Sequence, residues 1–232
     1  MGDNCDFINK SKKELELFYA PFFHSGEELQ YFLRDVFDYE NGSLTKRQMV
    51  FQVQRFISLA NDIDQIRPAR DSLRVMFLKF GLDSLCSLSG YMNKTKQAFY
   101  DEFCTCFTEE GKNYILENFK LSSFQDEYKG HSFESGHEID LGDFLNIIKV
   151  VRDKVAHDFN YWGIQFFAHD SDSIWLSEIE TEENLLQSYK YQRKSKILTT
   201  YHFTTTLNYE KFIYYFTEAC VGFIKKKTSN IA

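Results

Sequence analysis

Two side chains in the stretch Val150-Val151-Arg152-Asp153-Lys154-Val155-Ala156-His157 have the chemistry to cut a phosphodiester without a metal ion. An imidazole titrating near neutrality can move protons at a ribose 2′-hydroxyl or at a leaving oxygen. A guanidinium can stabilise the extra negative charge of a pentacovalent phosphorane. Arg152 and His157 are separated by four residues, about 140° of rotation on an ideal helix, so they do not share one face. A long arginine curves part of the way round, and a partner helix would complete the site. The spacing by itself is common, since roughly one random shuffle in five of this composition contains an Arg-x4-His. The plain alternative is a solvated helix whose arginine makes i,i+4 pairs and whose histidine faces water.

The helix that must position this pair starts at Asp140, with Asp143 three residues on. Its apolar stripe is Phe144, Ile147, Ile148, Val151, Val155 and Phe159, confined to roughly 120° of the helical wheel. Arg152 lies at the edge of that stripe and His157 nearly opposite its centre. A second segment, Asp71 to Ser89, is apolar on nearly every side and is predicted to be the buried centre of a helical bundle. The two are expected to lie side by side, nearly antiparallel, in one core. Asp83 interrupts the apolar run, and a carboxylate there needs a partner, for which Arg152 or His157 is available. An exposed strip on that helix is the alternative.

With these neighbours the segment Phe144 to His157 resembles the signature of the HEPN superfamily, an Arg, a polar residue and then a His, late in an all-α bundle. Asp153 stands where such families carry Asn, Asp or His, and Ala156 supplies the small residue before the His. The resemblance covers about residues 45 to 160 together with the last helix, and only the motif is specific. It implies a metal-independent RNA endonuclease of toxin, defence or stress type, with Arg152 and His157 catalytic and Asp153 and Asp83 as acidic members of the site. It further implies RNA as substrate, a homodimer and an antitoxin protein as possible partner, and no cofactor or metal. The other function class is a non-catalytic HEPN-like module that binds a protein or a nucleotide.

The rest of the chain sets bounds on these readings. Net charge is −7 over 232 residues, which excludes a globally basic nucleic-acid binder but not a local basic patch. Lys149 and Lys154 flank the motif, and Arg193 and Lys194 belong to the one internal basic cluster, beside Tyr189 and Tyr191 that could stack on bases. A solubilising surface loop is the simpler account of that cluster. Aromatic residues make up 17% of the chain against two prolines, which favours a helix-rich core with bulky side chains. No apolar run is long enough for a membrane span, the first residues do not read as a signal peptide, and five scattered cysteines read as reduced thiols. A cytoplasmic protein is therefore expected.

Residues 1–232 are expected to form one mainly α-helical domain with a small β element near the C-terminus, inserted at about 163–206. Within it, Ile164–Ala168 and Ile174–Ile179 read as a hairpin around His169–Ser173, and Lys196–Thr206 as a third strand. Ser25 and Glu28 resemble a capping box, Pro68 suits a first helical turn, and Asn208 can cap the last helix. Ser122–Gly136 reads as a long polar loop, where His131 and His137 are ordinary loop residues. Cys104-Thr-Cys106 lacks a second ligand pair at zinc-site spacing.

Overall fold

The computed structural model describes residues 2–34, 36–38, 40, 42–91, 95–126, 132–134, 138–158, 163–166, 175–181, 185 and 199–228. The helices are α1 (Gly2–Tyr19), α2 (Gly26–Arg34), α3 (Leu44–Ile66), α4 (Asp71–Leu88), α5 (Lys96–Cys104), α6 (Glu109–Asn118), α7 (Leu141–Asp158) and α8 (Tyr209–Thr228). The strands are β1 (Phe119–Asp126), β2 (Ser132–Glu134), β3 (Trp175–Thr181) and β4 (Thr199–Thr205). The protein is thus mainly α-helical with a small antiparallel sheet. No helix among the described residues is long and apolar enough to cross a membrane.

Side-chain caps fix where several helices begin. Ser25 Oγ accepts the Glu28 N–H at 3.2 Å, while the Glu28 carboxylate reaches back to the His24 N–H rather than to that of Ser25. Asp140 and Asp143 exchange bonds at the start of α7, with Asp140 Oδ1 accepting the Asp143 N–H at 2.8 Å. Asn208 Oδ1 does the same for the Lys211 N–H at the start of α8. Pro68 departs from expectation. It sits in the turn before α4 instead of in its first turn, and the adjacent Ala69 takes a positive φ of 58° to redirect the chain.

α4 is the buried centre, with Val75, Leu78 and Leu85 fully covered. α3 covers one side, where Gly81 lets Phe56 approach, and α7 covers another. Two contacts define the direction of α7 against α4. Gly163, just past α7, donates its N–H to Ser72 Oγ near the start of α4, and Arg152 bonds Asp83. Moving forward along α4 is therefore moving backward along α7, and the two helices are antiparallel in a single core. At Gly163 a Cβ would meet Val151 and Ser72 at 3.1–3.2 Å, so glycine is what allows the chain to pass this close.

Aromatic rings join the remaining elements to this pair. Phe99 and Phe103 of α5 meet Phe223 of α8 at 5.2 and 5.9 Å, and Phe144 of α7 meets Phe212 of α8 at 5.7 Å. Phe119 stacks on Phe203 across the β1–β4 pair and touches Phe144 edge-on, which seats the sheet on α7.

The sheet order is β2-β1-β4-β3, all neighbours antiparallel. This corrects three expectations. The polar stretch from Ser122 is not loop throughout, because β1 runs through it to Asp126 and β2 lies at Ser132–Glu134. The β element is not confined to an insertion at 163–206, since two of its strands precede α7. Ile164–Phe166 are not the first arm of a hairpin either. The Phe166 N–H donates to Asp71 Oδ2 at 2.8 Å and its ring stacks on Phe212, which draws the segment onto the helices, and β3 pairs with β4 instead. The turn at His169–Ser173 lies outside the described residues.

Candidate functional site

Arg152 reaches from α7 across to α4, where its Nη2 donates to Asp83 Oδ2 at 3.0 Å. The carboxylate expected to need a partner has one. Asp83 Oδ1 also accepts from Lys79 Nζ, one turn earlier on α4, at 2.5 Å. On the other side, Arg152 Nη1 pairs with Asp153 Oδ1 at 2.6 Å, and Asp153 Oδ2 lies 4.0 Å from Lys149 Nζ. The result is a run of alternating charge through Lys79, Asp83, Arg152, Asp153 and Lys149. Arg152 Nε is buried and has no hydrogen-bond partner among the described residues.

Burial decides the electrostatics. The Lys79 side chain is 1% exposed, against 29% for Asp83 and 20% for Arg152. Removal from water pulls the Lys79 pKa below the ordinary lysine value, against the hydrogen bond and charge of Asp83, which hold it up. Repulsion from Arg152 and Lys96 adds to the lowering. The Lys79 ammonium lies 5.7 Å from the centre of the Tyr100 ring. Burial pushes the Tyr100 phenol well above its ordinary pKa, so it remains an O–H donor at neutral pH.

Two hollows flank this network. A cavity of about 190 Å³ opens between α4, α5 and α7, walled by Lys79, Lys96, Gln97, Tyr100, Asn146, Lys149 and Arg152. A wider groove of about 450 Å³ runs between α3 and α4, where Asp83 shares the wall with Gln48, Gln52 and Ser84. Asp83 stands between the two.

The expected site residues are only partly brought together. Asp83, Arg152, Asp153 and Lys149 form one network, and Lys154 is half-buried on the same helix. His157 is exposed, as is Ala156 before it, and it makes no hydrogen bond or ion pair among the described residues. α7 runs unbroken from Leu141 to Asp158, so the angular separation of Arg152 from His157 persists within one chain. Arg193, Lys194, His131 and His137 lie outside the described residues.

The sequence reading passed over Lys79, Lys96 and Tyr100. The available signal was the i,i+4 spacing of Lys79 and Asp83 inside an apolar run, which makes a mutually neutralising pair. Cys104 and Cys106 are free thiols, and burial pushes Cys104 up to about 12. Among the described residues no group of three or more His, Cys, Asp or Glu side chains is placed to hold a metal ion. No protein-family model, curated protein or solved structure matches the chain.

Proposed function

We propose that this protein is an HEPN-like RNA endonuclease that works by metal-independent transesterification. The observation that carries the reading is the Arg152–Asp83 bond between two antiparallel core helices. It fixes a guanidinium from the motif helix beside a cavity and a groove, with two carboxylates holding the plane of the fork. In the proposed reaction an imidazole takes the proton from a ribose 2′-hydroxyl, whose oxygen attacks the adjacent phosphorus. The P–O5′ bond breaks, the 5′-oxygen leaves with a proton, and a 2′,3′-cyclic phosphate remains. Arg152 stabilises the charge that builds on the phosphorane. Asp83 and Asp153 are positioning residues that act through Arg152.

The exposure of His157 and Ala156 supports a composite site. A second copy packed on this end of α7 in a two-fold dimer would bring two arginines and two histidines around one cleft. Lys149 and Lys154 would then add local positive charge to an acidic chain.

The test is cleavage of a defined single-stranded RNA in EDTA, with products identified by mass. Cyclic-phosphate ends are expected, 2′-deoxy substitution at the cut site should block cutting, and Arg152→Ala or His157→Ala should lose about 100-fold or more. Strict dependence on added divalent metal would overturn the mechanism, and an active monomer would overturn the composite site. The second reading, a non-catalytic HEPN-like binding module, is favoured by one observation: both terminal nitrogens of Arg152 are already engaged by carboxylates. RNA binding with no cleavage by the wild type would select it.

A further inference from the structure

We propose that the groove between α3 and α4 is a binding site for a guanine base, carried on single-stranded RNA or on a free nucleotide. Recognition of the base stands without the nuclease reading, while choice of the cut site by that base rests on it. The groove holds about 450 Å³, within the range of sites that enclose small ligands. Gln48, Gln52 and Phe56 line it from α3 at successive intervals of four residues, so all three share one face of that helix. Phe80, Asp83 and Ser84 line it from α4. Among the described residues Asp83 is the only charged side chain on these walls. The groove therefore repels a phosphate and selects a ligand that brings N–H donors.

The pattern of donors and acceptors narrows the ligand. Asp83 Oδ1 accepts from Lys79 and Oδ2 accepts from Arg152. An ionised carboxylate offers about four lone-pair sites, so each oxygen keeps roughly one for a ligand. Guanine presents two adjacent donors, N1–H and the 2-amino group, that match the two oxygens. Adenine and cytosine place a ring-nitrogen acceptor beside their amino group, and uracil flanks its N–H with two carbonyls. Each of those would set an acceptor against the carboxylate. Guanine O6 needs a donor in turn. The Gln48 and Gln52 amides and the Ser84 hydroxyl can supply it, and none of these side chains is hydrogen-bonded among the described residues. Phe56 and Phe80 are half-buried and both border the groove. Their ring centroids are 6.1 Å apart with planes inclined by 58°, too close for a base to slide between them. The base would lie on one ring face, a contact open to any base, while Asp83 decides which base is held. Arg152 grips the same carboxylate from α7, so a strand bound through this base stays beside the guanidinium.

Binding of the full chain to 2′-O-methyl RNA pentamers tests this, because the blocked hydroxyl prevents cleavage. The probes are a uridine pentamer and the same strand with guanosine, inosine, adenosine or cytidine at its centre. Guanosine should bind about tenfold tighter than adenosine, cytidine or uridine, and inosine, which lacks the 2-amino group, about tenfold weaker than guanosine. Guanosine 5′-monophosphate separates the two sources: affinity equal to the guanosine pentamer identifies a free nucleotide, and weaker binding identifies RNA. Asp83→Asn should abolish the guanosine preference. The double variant Gln48→Ala, Gln52→Ala leaves Lys79 and Arg152 paired, so it tests the groove even if Asp83→Asn fails to fold, and it should weaken guanosine by about fivefold. Equal affinity for all five pentamers overturns the proposal, as does unchanged guanosine binding in both variants. Cleavage of ordinary RNA with no preference beside guanosine would overturn the link to the cut site and leave the nuclease reading intact. Guanosine-selective binding without cleavage would do the reverse.

Discussion

Lys79 and Lys227 each donate to a carboxylate, at 2.5 Å to Asp83 and at 2.6 Å to Glu102, and their pKa values move in opposite directions. At Lys79, desolvation is the largest influence and lowers the pKa despite Asp83. At Lys227, desolvation also lowers it, but the hydrogen bonds that the ammonium donates to Glu102 and Tyr91 outweigh that and the pKa rises. The partners explain the contrast. Lys227 is 26% exposed at the end of α8, and Lys226, half exposed, pairs with the same Glu102. Tyr91 also bonds Glu102, and the cluster ties α8 to α5 at the surface, where water screens it. Lys79 sits under the cavity, with its one carboxylate shared. The two clusters contain the same kinds of groups, but one is a fastening near the surface and the other holds a lysine away from water.

The largest expected effect is at Asp83. Asp83→Ala would leave Lys79 buried without a carboxylate and free Arg152 from α4. A fully buried pair broken this way costs 3–5 kcal/mol, and the partial exposure of Asp83 reduces that to about 2–3 kcal/mol. Urea unfolding measures it, and a loss under about 1 kcal/mol would place this network in the same class as the surface one.

Glu102→Gln should cost less, about 1 kcal/mol or below, because its partners are solvated. The loss should also depend on pH. Burial raises the Glu102 pKa, but the bonds from Lys227 and Tyr91 lower it further, to a net value below 4.5. Its contribution is therefore present above pH 4.5 and fades as pH falls through the lowered value. Wild type and variant should converge in acid. A Glu102→Gln loss equal to that of Asp83→Ala would erase the distinction between the two regions.

The comparison also marks what could be read from sequence. The α7 stripe, the all-round apolar α4 and the caps at Ser25, Asp140 and Asn208 were legible, because periodicity and capping are local. The need of Asp83 for a partner was legible as well, since a carboxylate in an apolar run has few ways to be satisfied. β1 was not. Phe119, Lys120 and Leu121 alternate, but the register against β4 shifts between Leu121 and Ser123, and that bulge breaks the period that marks a strand. The depth of Lys79 was also hidden, because no residue of α4 states that α5 and α7 will close over it. Half of the candidate site is therefore tertiary information.

The smallest effect is also the most discriminating, because it has a sign. A lysine whose folded pKa lies below 10.5 loses its proton in the folded state before the unfolded chain does. Between those two values the unfolded state binds more protons, so the Lys79 contribution to stability rises as pH rises toward 10.5. For Lys227 the folded pKa lies above 10.5, the folded state keeps the proton longer, and its contribution falls as pH climbs past 10.5. Subtracting the stability of Lys79→Met from that of the wild type, across the alkaline range, should give a difference that grows with pH. The same subtraction for Lys227→Met should give one that shrinks. Asp83 keeps Arg152 in the first variant, and Glu102 keeps Lys226 in the second, so each subtraction isolates one ammonium. Two slopes of the same sign would mean that Lys79 is hydrated after all, and the contrast between the two clusters would fail at its source.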